Sequence, residues 1–416
     1  MINFAKRIFD MILINMKKLF CAFLLVGIIG QAQTNAVNHQ TFSAGTERAA
    51  IPGQTMGQKM ESLLFWNGPE KERLFPQMHR IFPSFQVQAA ARTQQLKKGK
   101  DLSDKLPAGY LDNYFKDNHI SGAIVLQNGE VRLEKYAENV NPETLWTSFS
   151  VAKSVTSMLL GAALKDGSIA SLDDRLDQYI YEFRGEDYGK VTVRQLLTMT
   201  SGIAWNEDYA DEQSDVAQMY RQPCNGDEAH IITYMKKLKA AHEPGSTFNY
   251  STGETDLLGI LIERATGKKL AAYLSEKIWQ PWGMQQNAFW LADECSGENI
   301  GGSGLSATLR DFARLGTAML YRDSQGGHPF LANEYLQQAT SLLIPTGNDG
   351  GGYGYLWWRF PNGNYAAFGI FGQMIYINPK TNFVIAQMAA WPAAGSKDLS
   401  AQRAEFIEMV EGLVEK

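Results

Sequence analysis

Strand-forming segments lie at both ends of this 416-residue chain, and helix-forming segments lie between them. Near the start, residues 123–127 and 131–136 flank Asn128-Gly129, a dipeptide typical of two-residue hairpin turns. Short turns near the end separate four further strand-like segments, which are residues 355–360, 365–369, 374–378 and 383–389. Short turns impose antiparallel pairing. We therefore predict an α/β (α+β) fold with one antiparallel sheet assembled from both chain ends and flanked by helices.

The middle of the chain carries helical periods. Apolar side chains recur at steps of three and four in residues 193–199, 231–238, 257–262 and 312–320. This pattern predicts an all-helical subdomain over about 172–345, inserted into a sheet part of about 107–171 and 346–416. A ligand pocket is expected between the two parts, because ligand sites favour such junctions.

The N-terminus has the pattern of a secretory signal peptide. Met16-Lys17-Lys18 precedes an apolar run over residues 19–30, and small residues follow. We predict a signal peptide over 1–32, a flexible lead over 33–60 and a folded domain over 61–416. The protein would then be secreted or periplasmic, with no stable membrane span after cleavage. An uncleaved anchor helix and a start at Met16 remain alternatives, although the run is shorter than the ~20 residues that span a bilayer.

Composition and charge argue against several partners. The net charge is -5 and no basic stripe interleaved with aromatic residues occurs, so we expect no nucleic-acid partner. Metal-ligand spacings such as C-x-x-C or H-E-x-x-H are missing from the sequence, so we expect no metal site and no cofactor. Cys224 and Cys295 remain after signal removal, and they either form a disulfide or stay free.

Residues 146–167 predict a helix with a nucleophile at its start. Apolar residues from Val151 to Ala162 form one buried stripe, and Gly167 is a C-terminal cap. Ser150 lies at the N-terminus and Lys153 lies one turn later, so hydroxyl and amine can meet. Free N–H groups at the helix start can hold a developing negative charge. A capping serine beside a surface lysine has the same spacing, so this S-x-x-K motif alone leaves both interpretations open.

A serine nucleophile needs a base and a proton donor. G-x-S-x-G occurs nowhere in the sequence and no histidine lies in a suitable motif, so Lys153 is the candidate base. Tyr250, in a loop that enters a helix, is the candidate proton relay, since a tyrosine beside a lysine cation can lose its proton more easily. A packed aromatic with a solvated hydroxyl is the alternative.

The segment from Gly369 to Gly372 is the candidate for the rest of an oxyanion hole. Glycines allow a ligand to approach the backbone closely, and the N–H of Ile370 could join that of Ser150. A β-bulge is the alternative on spacing alone.

These stretches together resemble the serine β-lactamase and penicillin-binding-protein superfamily. The likeness runs from about Phe75 to the C-terminus and rests on the strings S-F-S-V-A-K-S-V-T-S, V-T-V-R-Q-L-L-T-M-T-S-G, F-N-Y-S-T-G-E-T-D-L-L-G, Y-G-Y-L-W-W and G-I-F-G-Q. It is strongest to the class C-like branch, which includes carboxylesterases and the 6-aminohexanoate-dimer hydrolase. The resemblance implies an acyl-enzyme on Ser150, with Lys153 as base, Tyr250 as proton relay, and the amides of Ser150 and Ile370 as oxyanion hole.

The resemblance also implies substrate contacts. In the dimer-hydrolase branch a further tyrosine closes over an amide substrate; Tyr209 is the matching position here, and Tyr220 aligns only if the loop is shifted. Together with Tyr209, we expect Gly369, Phe371 and Gly372 to bind substrate.

Two departures from the family pattern concern recognition of penicillins. Thr252 stands where β-lactam-binding members usually have Asn, and Ala367-Phe368-Gly369 stands where they have Lys-Thr-Gly or Lys-Ser-Gly. Without that cation, tight binding of a β-lactam carboxylate is not expected. The resemblance thus implies a secreted serine hydrolase acting on a small-molecule amide or ester. A β-lactamase or D-Ala-D-Ala carboxypeptidase, and a non-catalytic sensor domain, are the alternatives; natural substrate and oligomeric state stay open.

Overall fold

The computed structural model describes residues 55–320, 330–347 and 350–414, all within one compact unit that spans Arg48–Lys416. The predicted signal peptide over 1–32 and residues 33–54 of the predicted lead lie outside the described residues. Where the lead is described, it differs from the prediction of a flexible segment: Met56–Phe65 is a helix, begun by reciprocal hydrogen bonds between Thr55 and Gln58. Across the described ranges, no helix is long and apolar enough to cross a membrane.

The α-helices of the described residues are α1 (Met56–Phe65), α2 (Gly68–Leu74), α3 (Met78–Ile81), α4 (Tyr110–Asp117), α5 (Val151–Lys165), α6 (Val193–Leu197), α7 (Asp215–Gln218), α8 (His230–Met235), α9 (Thr252–Thr266), α10 (Leu270–Leu274), α11 (Leu309–Leu320), α12 (Asn333–Ala339) and α13 (Lys397–Val414). The strands are β1 (Ser84–Val87), β2 (Lys97–Lys98), β3 (Ile120–Gln127), β4 (Glu130–Tyr136), β5 (Leu145–Thr147), β6 (Ala288–Leu291), β7 (Leu305–Thr308), β8 (Ile344–Pro345), β9 (Gly352–Tyr353), β10 (Trp358–Arg359), β11 (Tyr365–Phe368), β12 (Met374–Asn378) and β13 (Phe383–Ala389).

The larger sheet is assembled from both ends of the chain, as the sequence predicted. Its strand order is β2-β4-β3-β13-β12-β11-β10-β9-β8, and the early strand β3 pairs antiparallel with the late strand β13. Asn128 and Gly129 join β3 to β4 with positive φ values of 51° and 77°, the backbone that an N-G hairpin turn requires. The pairing of β2 with β4 is parallel. The mixed α/β fold class is confirmed.

A second, four-stranded sheet corrects the prediction of an all-helical insertion over about 172–345. Its order is β1-β6-β7-β5, and β6 and β7 lie inside that range. Each of these two strands is only four residues long and almost wholly buried. Short apolar runs of this kind cannot be told from a buried helix turn by periodicity, so the surrounding helical pattern absorbed them. This small sheet leads directly into the candidate site, because β5 precedes α5.

Helix α5 is buried on all sides, so the predicted single buried stripe is wrong. Every residue from Val151 to Ala163 is buried. The polar residues on its other faces make hydrogen bonds: Ser154 Oγ donates to Leu356 O at 2.6 Å, and Thr156 Oγ1 donates to Gly301 O at 2.7 Å. Because these hydroxyls are satisfied, the helix can lie in the core between the large sheet and α9.

Cys224 and Cys295 form a disulfide, which settles the choice that the sequence left open. Their Cα atoms are 5.6 Å apart, and the bond ties the segment before α8 to the segment after β6. His230 lies beside the disulfide, with its Nδ1 2.8 Å from Asp293 Oδ2. The three groups, Cys224, His230 and Cys295, have ligand atoms within 4.8 Å of one another, but sulfurs held in a disulfide are not thiolate ligands.

Candidate active site

Ser150 lies on a strained turn between β5 and α5. The residue before it, Phe149, has φ +44°, a left-handed conformation that costs a bulky residue about 1–3 kcal/mol. Aromatic packing holds it there, since the Phe149 ring lies 4.9 Å from that of Phe75 and 5.0 Å from that of Phe371. The turn leaves Ser150 as the cap of α5, 8% exposed and at the wall of a pocket.

Lys153 points back at Ser150 from the first turn of α5. Its Nζ donates to Ser150 Oγ at 3.1 Å, to Thr252 Oγ1 at 2.9 Å and to Gly302 O at 2.9 Å. The side chain is buried, and burial lowers the pKa of Lys153 to about 8, although the charges of Glu207 and Asp256 act to raise it. A large share of Lys153 is therefore neutral at mildly alkaline pH and can accept the Ser150 proton.

Tyr250 immediately precedes Ser251, the N-cap of α9. Its ring stacks on Trp358 at 5.7 Å, and Lys153 Nζ lies 5.2 Å from its centroid. The pKa of Tyr250 is raised, first by burial and then by the charge of Glu207, and a hydrogen bond with Ser150 lowers it only in part. The expectation that the lysine cation would ease its deprotonation is thus wrong, because burial and a nearby carboxylate outweigh that cation.

Glu207 is a site residue that the sequence reasoning missed. Its carboxylate accepts hydrogen bonds from Thr252 N at 2.9 Å, from the Thr252 hydroxyl, from Trp205 Nε1 and from the Tyr209 hydroxyl. Glu207 thereby connects the loop that carries Tyr209 to the first residue of α9. Its position in the string W-N-E-D-Y was visible in the sequence, but nothing local indicated contact with a helix that starts 45 residues later.

Asp256 supports Lys153 from the opposite side. It accepts hydrogen bonds from Tyr220 Oη and from Gly302 N, each at 2.6 Å, while Gly302 O accepts from Lys153. Burial raises the pKa of Asp256 to about 6, so it carries a negative charge at neutral pH. Two carboxylates, those of Glu207 and Asp256, therefore act on one buried lysine.

The two candidate substrate tyrosines, Tyr209 and Tyr220, both line the pocket. Their hydroxyls have different partners: that of Tyr209 binds Glu207, and that of Tyr220 binds Asp256. The structure thus brings both beside Ser150.

The four residues of the 369–372 segment have different surroundings. Ile370 lines the pocket with Ser150. Within the described part of the chain, the backbone N–H groups of Ser150 and Ile370 have no acceptor. Gly369 lies against Ser148 O, which a Cβ would approach to 2.8 Å.

Phe371 and Gly372 are not brought to the pocket. The Phe371 ring is 0% exposed and packs 5.5 Å from that of Phe75. Gly372 has φ +91° and lies against the Trp391 indole, which a Cβ would approach to 2.4 Å. These two residues pack beneath the edge that carries Ile370, since the turn directs one side chain of the pair Ile370-Phe371 outward and the next inward.

The pocket at Ser150 has a volume of about 600 Å³, including its open mouth. Most of its lining is apolar, and the lining residues are Met60, Leu63, Leu64, Met78, Thr147, Phe149, Ser150, Tyr209, Val216, Met219, Tyr220, Thr252, Leu291, Ser303, Gly304 and Ile370.

Residues 100–406 match the beta-lactamase family, which covers well over half of the chain. The chain belongs to the beta-lactamase family. This member is a serine hydrolase of the β-lactamase-like superfamily. Over 370 residues it is 28% identical to the 6-aminohexanoate-dimer hydrolase of Paenarthrobacter ureafaciens, covering 84% of this chain and 93% of that protein.

Solved structures have the same fold as this family member. A Bacillus anthracis structure named "Putative 6-aminohexanoate-dimer hydrolase" superposes with a TM-score of 0.74 at 24% identity, covering 83% of this chain and 95% of that one. The octameric penicillin-binding protein homologue from Pyrococcus abyssi superposes with a TM-score of 0.57 at 20% identity, covering 73% and 76%.

Proposed function

We propose that this protein is an exported serine hydrolase that cleaves a small amide or ester through an acyl-enzyme on Ser150, as in the dimer-hydrolase and carboxylesterase branch. One observation carries the proposal: a buried lysine with a pKa lowered to about 8 has its Nζ 3.1 Å from the hydroxyl of a helix-capping serine. A surface lysine beside a capping serine would have neither the burial nor the lowered pKa.

Acylation uses Lys153 as the base. Neutral Lys153 takes the proton of Ser150 as Ser150 Oγ forms a bond to the substrate carbonyl carbon. The carbonyl oxygen becomes an oxyanion, which the N–H groups of Ser150 and Ile370 stabilise. Because its pKa is raised, Tyr250 holds its proton until the leaving nitrogen or oxygen needs one; it then gives that proton up and takes one from Lys153.

Deacylation reverses these roles. Water attacks the acyl carbon, its proton passes to Lys153, and the bond between that carbon and Ser150 Oγ breaks. Ser150 recovers a proton and the carboxylic acid leaves. Tyr209, whose hydroxyl is anchored on Glu207 at the pocket wall, is proposed to close over the substrate.

The pocket supports an uncharged substrate over a β-lactam. Lys and Arg are missing from the described residues that line it, so a β-lactam carboxylate would find no cation there. The disulfide between Cys224 and Cys295 supports export, because such bonds persist in oxidising compartments.

The proposal is tested with a fluorophosphonate probe and a substrate panel of short p-nitrophenyl esters, the linear 6-aminohexanoate dimer and nitrocefin. We expect labelling of the wild type, turnover of esters or the linear amide, and loss of both in Ser150→Ala. The matched control is Ser154→Ala, which removes a buried hydroxyl of the same helix that bonds Leu356 O and should leave labelling intact. A Ser150→Ala protein that hydrolysed the esters at the wild-type rate would disprove the proposal, and rapid nitrocefin turnover with inert esters would replace it with β-lactamase activity.

A further inference from the structure

Helix α1 forms one wall of the pocket, although it lies before the segment that resembles the family. Met60, Leu63 and Leu64 line the pocket from α1, and Leu63 is only 4% exposed. Val216 and Met219 line it from α7 and the residue that follows α7. This wall is made of aliphatic and thioether side chains.

Close backbone packing holds α1 in place. A Cβ on Gly57 would lie 2.3 Å from Tyr220 O, so only glycine allows α1 to come this near the segment that carries the pocket residue Tyr220. At the other end, Trp66 is buried with its ring 6.4 Å from that of Phe75. Phe75 also supports Phe149, the residue before the nucleophile. The wall is therefore fixed relative to Ser150.

Charge is lacking on this wall. None of the described residues that line the pocket is Asp, Glu, Lys or Arg. The nearby charges of Lys153 and Glu207 are already used in hydrogen bonds with Thr252 and other site groups. A charged group on the substrate would lose water beside α1 without gaining a counter-ion, whereas each buried methylene would raise affinity by about fourfold.

We propose that α1 is the specificity wall of the enzyme and that it selects esters or amides carrying a neutral aliphatic group of medium length. The inference rests on the proposed function for its kinetic consequence, but the selection itself is a binding property. It differs from the preference of an enzyme that requires a charged terminal amine or carboxylate.

Kinetics give the first test. Values of kcat/KM are measured for acyl series from acetate to octanoate and for acetates of ethanol to octanol, with Leu63→Ala, Leu64→Ala and the control Lys59→Ala on the same helix. We expect the wild type to favour the longer chain in at least one series, and the two leucine variants to reduce the long-to-short ratio about tenfold. Lys59→Ala should stay within about twofold of the wild type, because a residue outside the wall contributes no apolar contact.

A gain of charge gives the second test and does not depend on removing packing. Leu64 is half-buried, so the ammonium of Leu64→Lys can stay hydrated at the pocket mouth. We expect this variant to gain activity on an ester with a terminal carboxylate relative to the neutral ester of equal length. Chain-length ratios unchanged within about twofold in all three leucine variants, with fluorophosphonate labelling intact, would overturn the proposal.

Binding separates this proposal from the proposed function. Calorimetry with the Ser150→Ala protein compares N-hexylacetamide with its ω-amino analogue, and neither ligand reacts. Tighter binding of the neutral amide by about tenfold or more, lost in Leu63→Ala, supports the wall even if Ser150 proves unreactive. Equal binding of the two amides overturns the wall even if Ser150 is the nucleophile.

Discussion

Two lysines are buried near the candidate site, and they have the same pKa but different partners. Lys153 is 1% exposed and Lys71 is 0% exposed, and burial lowers the pKa of each to about 8. Each also lies over an aromatic ring: Lys153 Nζ is 5.2 Å from the centroid of Tyr250, and Lys71 Nζ is 4.1 Å from that of Phe371. Neither burial nor ring contact distinguishes the two lysines.

The hydrogen-bond partners distinguish them. Lys153 donates to the hydroxyls of Ser150 and Thr252, which can exchange protons, and to one carbonyl. Lys71 donates to the backbone carbonyls of Trp391 at 3.3 Å and Pro392 at 2.5 Å, which cannot. Burial therefore makes a lysine easy to deprotonate, but only a neighbouring hydroxyl makes that useful for catalysis. We expect Lys71 to be a structural residue beneath the edge that carries Ile370.

Replacement of Lys153 should have the largest effect. Lys153→Met keeps the length and apolar stem of the side chain and removes the base, so kcat/KM on the best substrate should fall by about 10³- to 10⁴-fold. Steady-state kinetics measure it, with circular dichroism to confirm folding. A loss below about tenfold in a folded variant would remove the functional difference between the two lysines.

Tyr250→Phe should follow. This change leaves a phenylalanine ring over Lys153, as Phe371 lies over Lys71, and removes only the hydroxyl. Without a proton donor for the leaving group, we expect kcat to fall by about 10²- to 10³-fold for amides. Esters with a good leaving group, such as p-nitrophenol, should lose less, because their departure needs little protonation. Equal losses for amides and p-nitrophenyl esters would contradict the relay role.

Glu207→Gln should change the pH dependence more than the rate. The wild-type kcat/KM should rise with pH through about 8, because the base is neutral Lys153. The charge of Glu207 raises the pKa of Lys153, so its removal should move this limb to lower pH by up to about one unit. Asp208→Asn, in the neighbouring exposed position, is the control and should leave the limb in place. A limb that stayed put in Glu207→Gln, or moved to higher pH, would show that Lys153 is not the titrating base.

Lys71→Met should have the smallest effect on activity, within about tenfold, because it touches no reacting group. Its signature is in stability. The pKa of Lys71 in the folded state, about 8, lies below its ordinary value of 10.5, so between these values the unfolded chain binds the extra proton and wild-type stability rises with pH. The methionine variant lacks this contribution. Denaturant unfolding from pH 7 to 10 should therefore show a wild-type advantage that grows with pH, and a constant difference would mean that Lys71 keeps its charge in the folded protein.

Much of the candidate site was predictable because its parts are local in sequence. Ser150 and Lys153 are one helical turn apart, so their contact follows from helix geometry. The hairpin at Asn128-Gly129 and the strand at 383–389 follow from turn chemistry and strand length. The family strings then related Tyr250 and Ile370 to Ser150.

Other features depended on contacts between distant segments, which no local pattern contains. Glu207 reaches Thr252 and Asp256 reaches Gly302, so the two carboxylates that act on Lys153 were missed. The strands β6 and β7 were hidden because short buried runs have no distinctive period. Phe371 was wrongly expected at the substrate for a related reason: the sequence places it beside Ile370 without saying which of the two side chains points inward.

The sequence by itself therefore determined the nucleophile, its candidate base and the class of fold, since these depend on spacing along one helix and on turn chemistry. Only the tertiary structure decided which buried lysine has a hydroxyl to deprotonate, which carboxylates set its charge, and that α1 closes the pocket with an apolar wall. The physical reason is that burial and electrostatic coupling are properties of surroundings, and the surroundings of Lys153 and Lys71 are assembled from segments far apart in the chain.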